Sequence, residues 1–311
     1  MGACQECLVT IDGRAGQRAC MTKVADGMTV ESTVPATDAR AALAAPPDSE
    51  GPPARELDIL VVGAGPAGLS AARAAALAMP EAARAGHIVV LDERPQPGGQ
   101  YHKPLAPSHR LAPGHAPDRQ FRDGARLRDS ALAAGVEIVS EASVWGAFAR
   151  DEIAALVEGS AALFRPRQLI LATGAYERQV PIPGWTLPGV MTTGALQTLA
   201  RAYRVAPGRR AIVAGNGPLN LQTALELAAG GVEIVAVVEA APRPAPGRLA
   251  ELARMATAAP DLLFDGARML SRLAARGIPM IWGAQVIAAQ PIAEPGETPF
   301  ARAPVRLTAR P

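Results

Sequence analysis

Cysteine is nearly absent: the chain has three, Cys4, Cys7 and Cys20, all within the first 20 residues. Residues 21–311 therefore hold no disulfide framework and no Cys pair for thiol–disulfide chemistry of the thioredoxin-reductase or glutathione-reductase kind. Aromatic residues make up 4%, too few for base-stacking platforms. Neither charge sign dominates. The formal net charge is +2, and Lys and Arg are scattered, which argues against a nucleic-acid partner. Long apolar runs are missing too. The most apolar stretch, Ile59 to Met79, is interrupted by Gly63, Gly65, Pro66, Gly68 and Arg73. It reads as strand, turn and helix, with no membrane span. The N-terminus, MGACQECLVT, lacks the basic and apolar regions of a signal peptide, which makes a cytoplasmic protein the expectation.

What is present is a large apolar fraction, 49%, in a chain of 311 residues, enough for two medium domains. Gly (30) and Pro (29) are frequent and mark many turns. Residues 1–30 read as a small β-rich segment: Val9 and Ile11 alternate with polar residues, Asp12-Gly13 forms a turn, and a second strand leads to Cys20. Residues 31–56, Pro-rich and without periodicity, read as a linker. From Leu57 the pattern is that of buried parallel strands alternating with helices. Residues 57–205 and 206–292 each hold a βαβ unit, so the chain contains an internal repeat. Residues 293–311 are Pro-rich and read as an irregular tail.

The first unit carries Gly63-Ala64-Gly65-Pro66-Ala67-Gly68, a G-x-G-x-x-G turn between a buried strand and a helix. Gly63 permits the tight turn, Gly65 lets the backbone approach a pyrophosphate, and Gly68 lets helix and strand pack closely. The helix N-terminus offers its N–H groups and positive dipole end to phosphate. Asp92-Glu93 ends the next strand, and Glu93 is the expected ribose ligand, followed by Arg94. The second unit carries Gly215-Asn216-Gly217-Pro218-Leu219-Asn220, in which Asn220 replaces the third glycine and loosens the expected helix–strand packing. Glu239 ends its following strand. A carboxylate there favours the ribose hydroxyl of NAD(H), while Arg243 and Arg248 nearby weaken that preference. NAD(H) binding and a retained, empty scaffold are both open for this second turn.

Cys4-x2-Cys7-x12-Cys20 supplies three of the four ligands of a cluster or metal site. A plant-type [2Fe–2S] centre uses C-x4-C-x2-C plus a fourth Cys, and on that spacing the missing one lies five residues before Cys4. Zinc competes, but the first histidine is His87. A loop of free thiols is the third reading. Of the histidines, His102 lies just after Gly-Gly-Gln, and an exposed loop position is the expectation for it.

Two further segments, Gly98-Gly99-Gln100 and Ala172-Thr173-Gly174, join the PAG of the first turn in resembling flavoproteins with two dinucleotide domains, the glutathione-reductase-like superfamily. The resemblance implies an α/β fold of two Rossmann-like dinucleotide-binding domains after a partial β-rich, ferredoxin-like segment. It also implies that the Gly-Gly segment lies near the flavin and the Ala-Thr-Gly segment closes on the phosphates. Val144 belongs with these residues in the expected FAD site. More narrowly, GACQECLVTIDGRAGQRAC, VVGAGPAGLSAA, LDERPQPGGQ, LATGAYERQVPIPGWTLPGVMTTGALQTL and AGNGPLNLQTALELAAGGVEIVAVVE resemble the α (A) subunits of bacterial amine-oxidising flavoproteins. That group includes opine oxidases, hydrogen cyanide synthase, dye-linked proline dehydrogenases and heterotetrameric sarcosine oxidase. The resemblance implies FAD, a [2Fe–2S] cluster in the intact protein, a small-molecule substrate and a second, amine-oxidising flavoprotein subunit. It also implies a late Gly-Asp motif against the flavin, which does not occur before Pro311. A truncated reading frame is the expectation that follows.

Overall fold

The computed structural model describes residues 8–19, 22–31, 52, 54–111, 118–149, 151–243, 247, 249–291 and 305–310. The chain divides into two compact units, residues 1–53 and 54–311.

In the first unit, β1 (Leu8–Ile11) and β2 (Arg14–Arg18) form an antiparallel hairpin in which Ile11 faces Arg14. This register leaves a two-residue loop. Asp12 and Gly13 both take positive φ, 49° and 77°, as a type I′ turn requires. The Asp12 carboxylate accepts from the Thr29 backbone N–H (2.9 Å) and hydroxyl (3.0 Å). That ties the turn to the chain entering β3 (Val30–Glu31), which pairs with the other edge of β1. Cys4, Cys7 and Cys20 lie outside the described residues.

The second unit opens with β4 (Ala54–Val62), which begins inside the stretch read as linker. The glycine turn leads to α1 (Pro66–Ala78), with Pro66 in the first turn where a missing N–H costs nothing. Next come α2 (Pro80–Arg84), the fully buried β5 (Ile88–Leu91), α3 (Gly99–His102) and α4 (Arg119–Ala133). β6 (Glu137–Val139) precedes a meander of β7 (Ala142–Ala149), β8 (Glu152–Val157) and β9 (Ser160–Leu171). The sheet order is β6-β5-β4-β9-β8-β7. The first four strands in that order are parallel, and the meander is antiparallel.

Strand alternation explains the continuous apolar run of β4. Ile59 and Val61 pack under Leu69, Ala72 and Ala76 of α1. Leu60 faces the other way, onto Ile153, Ala155 and Phe164 of the meander, and Leu57 joins that side across an irregularity at Asp58–Ile59, whose two N–H groups both reach the His87 carbonyl (3.1 and 3.0 Å). Both faces are covered, which accounts for the unbroken apolar run of residues 59–62. Arg55 and Glu137 brace this sheet from β4 to β6 across β5, through two hydrogen bonds of 2.7 and 2.6 Å.

The end of β9 is more open than the buried parallel strands expected from Leu57 onward. Leu169 and Ile170 are half-buried, and Leu171 is 70% exposed. β8 pairs with β9 only over Ser160–Phe164, so residues 168–171 have β4 on one side and no strand on the other among the described residues.

After α5 (Thr193–Ala202) come β10 (Arg210–Gly215), α6 (Pro218–Ala229) and β11 (Glu233–Glu239), then α7 (Leu249–Ala258), α8 (Pro260–Ala275) and β12 (Met280–Trp282). The strands form a parallel sheet, β10-β11-β12, around Val213, Leu221, Leu227, Val237 and Leu273. β13 (Gln285–Pro291) pairs antiparallel with β14 (Val305–Arg310). Residues 305–310 thus form a strand where an irregular tail was expected. Their sequence, VRLTAR, alternates apolar and polar residues, the period of a strand.

Gly68 is the tightest helix–strand contact: a Cβ there would lie 1.9 Å from the Gly63 carbonyl oxygen. Gly68→Ala is expected to lower stability by about 1–3 kcal/mol, seen as a lower urea midpoint. An unchanged midpoint would contradict this packing.

Candidate nucleotide site

Three segments separated in sequence meet by backbone at the first turn. Gly63 has φ 105°, and a Cβ on it would lie 2.3 Å from the Ala172 carbonyl oxygen. Ala172 in turn donates its N–H to the Val62 carbonyl at 2.8 Å. A Cβ on Gly99 would lie 2.7 Å from the Gly65 Cα, and the Gly98 N–H reaches the Ala64 carbonyl at 2.8 Å. The structure therefore brings the 63–68, 98–100 and 172–174 segments together. Gly65 caps α1 without a side chain, leaving the helix's positive end bare for an anion.

Asp92 holds this turn from within. It is buried; one carboxylate oxygen accepts from the Ala64 N–H at 2.5 Å and the other from the Arg94 N–H at 2.9 Å. Burial pushes its pKa up, against the pull of the two amides. Both oxygens are thus engaged in shaping the loop. Glu93 is exposed, and its carboxylate accepts from the Tyr176 hydroxyl. Ala142, at the start of β7, donates to the Asp92 carbonyl at 2.9 Å, which places Val144 two residues from the turn's support. Val144 packs on the core beneath the sheet. Gln100, Thr173 and Gly174 are exposed.

His102 is buried, not an exposed loop residue. Its Nδ1 lies 3.0 Å from the Gln120 carbonyl, and its ring fills the space that a side chain at Gly124 of α4 would need. Lys103 is also buried, and sequence reasoning missed it. Its ammonium donates to the Gly194 carbonyl (2.9 Å) and the Thr198 hydroxyl (3.2 Å) of α5. Burial lowers its pKa to about 8. Tyr176 was missed as well, although it follows Gly174 by two residues.

The second turn repeats the scheme with changes at the brace, at the residue after it and at the third glycine. Glu239 is buried and accepts from the Gly217 N–H (3.1 Å) and the Ala241 N–H (3.0 Å). Ala214 faces Val238 across the strands as Val62 faces Leu91. By this register Glu239 stands where Asp92 stands, and Ala240 stands where Glu93 stands. Asn220 is buried and takes up the space left by the missing glycine: its amide nitrogen lies 2.9 Å from where a Gly215 Cβ would be. Its oxygen accepts from the Thr193 hydroxyl at 2.8 Å, tying α6 to α5. Asn216 and Leu219 are exposed, and Pro218 opens α6.

Arg201 joins the halves. Its side chain is 5% exposed and pairs with Asp118 at 2.8 Å and Glu226 at 2.7 Å. Its guanidinium stacks 4.5 Å from the Phe121 ring centre. Asp118 also caps α4, so one cation locks α4, α5 and α6.

Residues 57–292 match the family model described as pyridine nucleotide-disulphide oxidoreductase, and residues 1–35 match a 2Fe-2S iron-sulfur cluster binding domain. The chain is 38% identical to the A subunit of opine oxidase from Agrobacterium tumefaciens over 60% of its own length and 37% of that protein's. It is 36% identical to the HcnB subunit of hydrogen cyanide synthase from Pseudomonas aeruginosa over 74% of its length and 48% of the other's. The chain thus spans less than half of each of these relatives. Among solved structures, L-proline dehydrogenase from P. horikoshii superposes with a TM-score of 0.52 at 21% identity, over 75% of this chain and 43% of that one, a likeness of fold.

Lys103 gives the site a pH signature. Its folded pKa, about 8, lies below the ordinary 10.5, so the unfolded chain holds the extra proton between these values. Stability from this group therefore rises as pH rises from about 8 toward 10.5, and the cost of the buried charge is fully present below about 8. The urea midpoint of Lys103→Met relative to wild type is expected to fall over that window. A constant difference from pH 7 to 10 would contradict the burial of Lys103.

Proposed function

The chain belongs to the pyridine nucleotide-disulphide oxidoreductase family, and we propose that it is the nucleotide-binding part of an FAD-dependent oxidoreductase subunit. With a second flavoprotein subunit it oxidises an amine, opine or imino acid, and electrons pass through flavin and an iron–sulfur centre. The observation that carries this reading is the meeting of three backbone segments at Gly63–Gly68 beside an exposed Glu93. The cradle is built from atoms a Cβ would displace, which suits a pyrophosphate lying on bare backbone. Gly65, Gly98 and Gly99 and the α1 N-terminus hold the phosphates, and Glu93 meets the adenosine ribose. Ala172, Thr173 and Gly174 wall the other side. When bound, the flavin supplies the redox chemistry, while the chain binds, orients and excludes water. Residues 21–311 hold no cysteine, so this stretch contributes no redox disulfide. The relatives' names, each a subunit of an oxidase or synthase, support the partner. Among the described residues no helix is long and apolar enough to cross a membrane, in keeping with a cytoplasmic setting. Cys4, Cys7 and Cys20 are assigned to the cluster on their spacing and the family match.

For the second turn the geometry favours a retained scaffold over an NAD(H) site. Both Glu239 oxygens are engaged by backbone amides, and Ala240 leaves no carboxylate where the first turn has Glu93.

Fluorescence titration of the chain with FAD is expected to saturate at one FAD per chain. Anaerobic NADH is expected to leave the flavin oxidised, while an opine or proline added to the complex with the second flavoprotein bleaches it. Absence of FAD binding would overturn the first assignment, and rapid bleaching by NADH would overturn the second.

A further inference from the structure

We infer that Tyr176 is a positioning residue of the first nucleotide site, holding one carboxylate oxygen of Glu93 so that the other meets the ribose diol of an adenosine nucleotide; this rests on the nucleotide reading above. The segment that carries Tyr176 is anchored at both ends. Upstream, Ala172 is pressed against the Gly63 turn and bonded to Val62. Downstream, the Glu177 carboxylate accepts from the Gly194 N–H at 2.6 Å, at the first turn of α5. Gly194 also receives Lys103 through its carbonyl, at 2.9 Å. Between these anchors the Tyr176 side chain reaches Glu93, and its hydroxyl donates to Oε1. Oε2 is left for a ligand.

Three features single this contact out. Burial and the Glu93 charge push the Tyr176 pKa up to about 12, so the hydroxyl stays a donor across the working pH range. A glutamate has several rotatable bonds, and an unclamped one loses that freedom when a ligand orders it. A hydroxyl fixed to one oxygen removes most of the loss beforehand. Finally, the second repeat has Ala240 at the equivalent position, so the clamp accompanies the one turn with a free carboxylate.

The test is calorimetric titration of the full chain with ADP and with 2′-deoxy-ADP, which lacks the hydroxyl a strand-end acid reads. Tyr176→Phe is expected to weaken ADP about three- to tenfold and to leave 2′-deoxy-ADP unchanged. Added to Glu93→Gln, it should cause no further loss, because its effect runs through that carboxylate. Equal weakening of both nucleotides would mean a merely structural role and overturn the inference. So would tighter ADP binding, which would make Tyr176 a plug that competes with ribose. Failure of the wild-type chain to bind FAD or either ADP would overturn the nucleotide reading itself, and the inference with it.

Discussion

The buried carboxylate of Asp92 sits at the end of β5 and binds two backbone amides, one on each side of the glycine turn's support. With Ala64 fixed in this way, its carbonyl can receive Gly98, and Gly99 can lie against Gly65. The same turn then accepts Ala172 against Gly63. The Gly63 and Gly99 contacts are backbone on backbone, at distances that a Cβ on either glycine would not tolerate. The cradle is therefore rigid by exclusion: loss of the Asp92 bonds would free the turn, and every glycine contact around it would relax. An unsatisfied buried amide at Ala64 would cost about 1–3 kcal/mol by itself.

The second repeat shows what that constraint is for. Glu239 does the same work on Gly217 and Ala241, so both turns keep the internal brace. They differ at the next residue. In the first half an exposed glutamate follows the brace, with a tyrosine on one oxygen. In the second half an alanine follows it. In the proposed reading, bracing and ligand contact are separate tasks of adjacent residues, and the second half keeps the brace. Arg201 and Thr193 tie α5 to α6 of the second half, while Lys103 and Glu177 hold α5 from the first, so α6 also steadies the wall that carries Tyr176.

Much of this was legible in the sequence. The two glycine turns, the strand–turn–helix order and the Asp12-Gly13 hairpin rest on local chemistry, because glycine, proline and alternation act over a few residues. Long-range placement was less accessible. From local pattern alone Glu239 is a candidate ribose ligand; that backbone amides occupy both of its oxygens, and that Ala240 shares the register of Glu93, follows only from the strand pairing. His102 looked like an exposed loop residue and Lys103 carried no signal, since only the packing of α3 against α4 and α5 buries them. Tyr176 carries no motif of its own. The exposed end of β9 follows from where β8 stops pairing, which periodicity does not encode.

We propose that the first turn reads a nucleotide and the second does not. Amide hydrogen exchange of the full chain, with and without FAD, tests it most directly. Slowed exchange at residues 63–68 and 98–100, with residues 215–220 unchanged, is the predicted result. Protection at 215–220, or none at 63–68, would contradict it.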